Sequence, residues 1–490
     1  MAFNRNKKAV PEPAAPGAVD EELQQAPVLT ETTKWGFPEY FIISQTALPA
    51  LLFLPGTQAF RMPIRVASFG ISLLALFWWL NKRDRRHSFH PSAPYLLAAF
   101  GYLCLMIFHP STNGVKAGIA QTLLYLAVFA PAFWAAGSIQ TPGRLRRMLW
   151  ILLFCNGINS MVGILQAYDP ATYMPREFSK VVTGGMYGLG NLTYVGASGK
   201  AMVRPPGLFD TPGAVCGPGM FAAFFGLVLA MEERSWLKKA IAMGFSFAGI
   251  SAIYLTLVRT NLLVLGGMIL VFAILQQFQQ SKAKSFVVIG LAIGLAVGGF
   301  TLATVFGGKA ISDRLDSLGQ KKASDVYMDS RGIMVQEAFY DLLPEYPLGA
   351  GLGRWGMMAF YFGNNDDPDA PTLWAEVQFP AWILDGGIVL LGLYCMALFV
   401  AMKEEFKISR TAPSYFTRLL SSAVLSGNAG IAALCFSFVP FCAQSGLQFW
   451  FLSGALHGVM EAERWLVIAM SKSKPAPAVE TLPWKARRHK

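Results

Sequence analysis

Apolar residues in this chain come in long blocks separated by short polar stretches. About twelve blocks stand out, at residues 38–58, 64–81, 92–108, 116–136, 148–167, 212–231, 239–258, 261–278, 285–306, 380–402, 418–441 and 446–463. Each has roughly the 17–25 residues that an α-helix needs to cross a bilayer. A barrel would instead show alternating strands of about ten residues. The pattern predicts an all-α membrane protein with about twelve transmembrane helices. The tightest break falls near Arg259, between the seventh and eighth blocks.

The polar stretches predict the orientation. Loops on the cytoplasmic side of a membrane are enriched in Lys and Arg. With both termini inside, the inner segments hold 27 of the 41 Lys and Arg residues. The runs Lys82-Arg83-Asp84-Arg85-Arg86 and Arg144-Leu145-Arg146-Arg147 are the strongest inner anchors. The expected topology is N-in and C-in. Two long loops then face outward, 168–211 and 307–379. The second lies between spans 9 and 10 and is expected to be partly helical, since Val326, Ile333, Met334, Phe339, Leu342 and Leu343 recur at helical spacing. It is expected to fold back onto the membrane surface. Residues 1–36 read as a disordered cytosolic tail, 37–470 as the membrane domain and 471–490 as a second cytosolic tail.

Composition agrees with this picture. Hydrophobic residues make up 54% of the 490 and charged residues only 14%, against roughly 25% charged in a soluble domain. The net charge of +12 would suggest nucleic acid in a soluble protein. Here the inner loops account for it, and no nucleic-acid partner is expected. The six cysteines all lie in or beside apolar blocks and read as small core residues. No metal site and no cofactor are expected.

Three arginines stand where the topology disfavours them. Arg204, Arg259 and Arg331 lie at or near the outer ends of apolar blocks. A guanidinium grips phosphate oxygens bidentately, so the three read together as a clamp for a lipid-linked diphosphate. Taken singly, Arg259 can also be a residue snorkelling to the interface, and Arg204 an interfacial anchor. Arg331 follows Asp329 and Ser330, either of which can cap a helix. Downstream, Pro347-Leu348-Gly349-Ala350-Gly351-Leu352-Gly353 is either a phosphate nest, with Gly351 and Gly353 letting the backbone approach an anion, or a flexible exit turn. Glu376 is placed to accept a proton from an attacking hydroxyl, or is simply a solvated residue ahead of the next span. Asp366, Asp367 and Asp369 form an acidic run that can attract Ca²⁺ or Mg²⁺, or is a solvated loop face, which is the reading preferred.

The order of these motifs resembles the O-antigen ligase and polysaccharide polymerase superfamily. The resemblance rests on Gly163-Ile164-Leu165-Gln166, Arg204-Pro205-Pro206-Gly207-Leu208-Phe209, Arg259, Ser330-Arg331, the Pro347–Gly353 turn and Leu384-Asp385-Gly386-Gly387-Ile388. It covers roughly residues 150–400. It implies a bacterial inner-membrane glycosyltransferase with a periplasmic active site. Such an enzyme moves a glycan from an undecaprenyl-diphosphate carrier to a glycan or lipid acceptor, without a metal. A chain-length regulator and a flippase are the protein partners it implies, alongside membrane lipids. The resemblance gives Arg204, Arg259 and Arg331 the role of holding the diphosphate.

One departure bears on the subclass. Ligases of this family carry a His-Asn pair about eleven residues before the glycine matching Gly387, where this chain has Glu376-Val377. Of the five histidines, only His109 lies near an outer span end. Polymerisation of repeat units is therefore the first expectation, and ligation of finished glycan the second. A secondary transporter of an anionic solute is a reading of another class. Asn156, Asn159, Asp385 and Glu461 are polar residues in or near spans, but they form no continuous chain.

Overall fold

The structure is a computed structural model that describes residues 34–82, 88–178, 193–195, 201–279, 282–307, 325, 327–364 and 370–473. Helices α1 (Phe37–Ala50), α2 (Arg61–Lys82), α3 (Ala93–Met106), α4 (Val115–Phe129), α5 (Pro131–Ser138) and α6 (Pro142–Tyr168) come first. After a two-stranded antiparallel ribbon, Thr193–Val195 with Ala201–Val203, come α7 (Cys216–Glu232), α8 (Trp236–Thr256), α9 (Arg259–Gln279) and α10 (Lys282–Gly307). The chain closes with α11 (Gly356–Phe362), α12 (Gln378–Thr411), α13 (Tyr415–Ala433) and α14 (Gln444–Ser473).

Among the described residues, eight helical segments are long and apolar enough to cross a membrane. Helices α3 and α7 are apolar but shorter. Among the described residues the regular structure is helical apart from the ribbon, and a helix overlaps every apolar block of the sequence.

Local chemistry sets the helix boundaries. Thr141 caps α6 by accepting from the Arg144 amide at 3.2 Å, with Pro142 at the first helical position. Ser414 caps α13 in the same way, accepting from Thr417 at 3.0 Å. Pro131 lacks the amide that would continue α4, so α5 begins there. The break before Arg259 is made by Leu257, which turns left-handed at φ 61° and ends α8.

Small residues bring helices together. The α7–α8 pair is closely packed, and a Cβ on Gly219 would lie 2.7 Å from the Gly249 carbonyl. Close backbone approach through small residues is the usual basis of helix packing in lipid. Near the start of α6, Arg144 donates from Nε and Nη2 to buried Glu39 at 3.0 and 2.9 Å, and Arg146 pairs with Glu233 at 2.7 Å. That predicted inner anchor therefore ties α6 to α1 and to the end of α7. The Arg83–Arg86 anchor, residues 1–33 and 474–490 of the predicted tails, and the acidic run at 366–369 lie outside the described residues.

Candidate functional site

The motifs of the two long loops meet at the far end of α6 from Arg144. A 27-residue helix separates its ends by roughly 40 Å. Gln166, near that end, clamps Gly207 with a paired amide contact: Nε2 donates to the Gly207 carbonyl and Oε1 accepts from its amide, both at 2.8 Å. Asn159 Oδ1 accepts from the Leu208 amide at 2.8 Å. Gly207 has φ +66°, and a side chain there would collide with Asn159. The Gly163–Gln166 motif thus fixes the chain just after Arg204-Pro205-Pro206.

A second pair of motifs forms the floor beneath the large loop. Helix α12 is broken at Gly386 (φ −169°, ψ 22°) and Gly387 (φ 57°, ψ −149°). The break leaves backbone groups without helical partners, which apolar surroundings penalise. The Pro347–Gly351 turn supplies them. Ala350 donates to the Leu384 carbonyl at 2.7 Å, and Ile388 donates to the Pro347 carbonyl at 2.9 Å. Asp385 locks the junction. Its fully buried carboxyl accepts from Tyr125 (2.7 Å), Gln121 (3.0 Å) and Trp355 Nε1 (2.9 Å).

The glycines read as either a phosphate nest or an exit turn are packed in this junction. Gly351 (φ +94°) and Gly353 (φ +68°) are buried, and a Cβ would lie 2.5 Å from the Ser111 carbonyl at the first and closer still to the Ala117 side chain at the second. Arg354, only 4% exposed, donates to the carbonyls of Ala350 (2.9 Å) and Pro371 (3.1 Å). It binds the turn to the return of the loop.

Above this floor the large loop is helical from Met328 to Glu345, with π-helical turns at Met328–Gly332 and Ala338–Leu342. Asp329 and Ser330 lie inside the first π-turn, so neither position is the helix cap expected from the sequence. Phe339 packs on Phe379 at 5.7 Å, and the Tyr327 hydroxyl donates to the Phe436 carbonyl at 3.0 Å. The loop helix therefore leans on α12 and on the turn after α13.

Arg331, in the first π-turn, forms an ion pair with Glu376, two residues ahead of α12. The two side chains are 37% and 32% exposed. Burial lowers the Arg331 pKa from its usual value, and the Arg204 guanidinium nearby lowers it further. Arg204 itself stands over Gly213, where a Cβ would lie 3.5 Å from Nη2. The structure thus joins Arg331 to Glu376, with the Arg204 charge acting on Arg331. Arg259 is half-buried at the first residue of α9, just after the left-handed Leu257. Trp374, two residues from Glu376, is 73% exposed.

Sequence reading missed a further cationic contact. Arg61, at the start of α2, pairs through Nε with buried Asp210 and donates to the Tyr361 hydroxyl at 2.7 Å. Arg65 lies 2.7 Å from the same carboxyl and donates to Thr211 at 2.6 Å. These arginines hold the Arg204–Gly213 segment against α2 and α11. Their i,i+4 spacing at a span end with few basic residues was the available signal. His109 is half-buried; its Nδ1 accepts from the Ser111 amide at 3.3 Å.

The Gly-rich run 183–190 of the first loop lies outside the described residues. No family model matches the chain, and no curated protein matches it.

Proposed function

We propose that the protein is a membrane glycosyltransferase that polymerises oligosaccharide repeat units carried on undecaprenyl diphosphate. The observation that carries this reading is the Arg331–Glu376 pair, with the charge of Arg204, from a loop distant in the chain, acting on Arg331. In the proposed frame twelve helices span the bacterial inner membrane, both termini are cytoplasmic and the arginines face the periplasm. The donor's lipid tail lies among the helices, and its diphosphate meets the arginines at the membrane edge. The hydroxyl oxygen of the acceptor glycan attacks the anomeric carbon. The bond from that carbon to the diphosphate oxygen breaks, and the diphosphate leaves with the electron pair. Glu376 takes the hydroxyl proton, and configuration inverts. Arg204, Arg259 and Arg331 stabilise the departing charge, the part a divalent cation takes in many sugar transferases. Exposed Trp374 offers an apolar face to a sugar ring.

Three of the four polar residues that a transporter reading would need for a pathway accept structural hydrogen bonds, while Asn156 Nδ2 and Asn159 Nδ2 are buried without a partner among the described residues. Asn159 holds Leu208, Asp385 holds the α12 break, and Glu461 accepts from the Ser88 amide at 3.1 Å.

Transfer from a polyprenyl-diphosphate glycan in membranes tests the proposal. Arg204→Ala, Arg259→Ala and Arg331→Ala are each expected to lower the rate by about 10²–10³-fold. Glu376→Gln is expected to lower it by about 10²–10⁴-fold. Full activity in the Arg204 and Arg331 variants would refute the clamp. Loss of the gene should leave single repeat units on the carrier; full-length unattached polymer would identify a ligase instead.

A further inference from the structure

The two roles proposed for Arg331 and Glu376 conflict while the side chains are paired. A guanidinium engaged by a carboxylate has fewer donors for a phosphate. An opposite charge also favours the ionised form of a carboxylate and weakens it as a proton acceptor. The pair as it stands is neither a ready clamp nor a ready base.

Its surroundings make it exchangeable. Both side chains are about one-third exposed, so a ligand can reach them. The other contact of Arg331 Nη1 is the Met334 sulfur at 3.7 Å, a weak acceptor. Arg354 shows the opposite arrangement, buried and spent on backbone carbonyls that cannot leave. Glu376 sits in the short segment ahead of α12 and accepts no such fixed set of bonds as Asp385 does. Arg204 adds positive potential on the side of Arg331. A diphosphate brings more charge and more acceptor oxygens to that potential than one carboxylate does, so it is the stronger partner for the same guanidinium.

We propose that Glu376 occupies the Arg331 guanidinium until a diphosphate displaces it, so that donor binding itself frees the carboxylate to receive the acceptor's proton. This rests on the diphosphate-donor reading above and adds an order of events to it. The carboxylate is a competitor of the donor before it is a partner in the reaction. The released Glu376 carries the proton away from the attacking hydroxyl, and the diphosphate keeps the arginine.

The prediction has an unusual sign: removing the base tightens donor binding. The full-length protein is reconstituted in nanodiscs, and binding of a short-chain polyprenyl diphosphate without a sugar is measured. Glu376→Gln is expected to bind about two- to fivefold more tightly than wild type, the range set by a partly exposed ion pair. Its transfer activity falls at the same time. Glu376→Ala, which cannot bridge to Arg331 at all, is expected to tighten binding in the same way. In an Arg331→Ala background the Glu376→Gln gain should vanish. Unchanged or weaker binding in both Glu376 variants would overturn the exchange while leaving the clamp intact. Unchanged binding in Arg331→Ala would instead remove the clamp, and the exchange with it.

Discussion

Glu376 and Asp385 are carboxylates nine residues apart on the same stretch of chain, and the structure uses them in opposite ways. Asp385 is fully buried and accepts from three side chains on two segments, two on α4 and one on the turn before α11. Glu376 is one-third exposed and pairs with an arginine that is also exposed. The same contrast separates Arg354 from Arg331. The buried members hold the α12 break and the Pro347–Gly353 turn in register. The exposed members stand on that floor, where a ligand can exchange for either one. Charge alone does not mark a site; it is charge whose partner can leave.

Breaking the buried member should cost the most. Asp385→Ala leaves three donors unmet beside a broken helix, and is expected to destabilise by about 3–5 kcal/mol. Thermal unfolding in detergent should show it, and a stability within error of wild type would mean that Asp385 does not hold the α12 junction. Gly387→Ala comes next. It places a side chain at positive φ against the Pro347 carbonyl, for about 1–3 kcal/mol. Arg331→Ala should lie at the other extreme, with stability changed by at most ~1 kcal/mol, as for an exposed pair. If it unfolds the protein, the exposed pair is architecture after all.

The smallest effect concerns pH. Burial, and then the nearby Arg354 charge, lower the His109 pKa below its usual 6.5. The unfolded chain therefore binds that proton first, and stability falls as pH drops below about 6.5. Protonation would also cost the Ser111 amide its acceptor on Nδ1. His109→Gln should flatten this part of the melting-temperature profile between pH 7.5 and 5.5; an identical profile would exclude His109 as a source.

Much of the helical layout was legible in the hydropathy pattern. The break before Arg259 appeared as a short polar interruption, and Leu257 sits in it. The motif positions were legible too, because Gly, Pro and charged residues stand out against apolar blocks. Their pairing was not. Nothing local in Leu384–Ile388 says that its broken hydrogen bonds are completed by a turn some 35 residues earlier. The partners of Asp385 come from residues 121, 125 and 355, and those of Asp210 from residues 61 and 65. For the same reason Gly351 and Gly353 look alike whether they face an anion or a helix. Only the contact with Ser111 and Ala117 distinguishes the two.

The most direct test is an experimental structure of the full-length protein with a polyprenyl diphosphate bound. Phosphate oxygens should lie about 2.7–2.9 Å from the guanidinium groups of both Arg204 and Arg331, with Glu376 swung away from Arg331. A diphosphate bound elsewhere, or one bound while Arg331 and Glu376 remain joined, would contradict this arrangement.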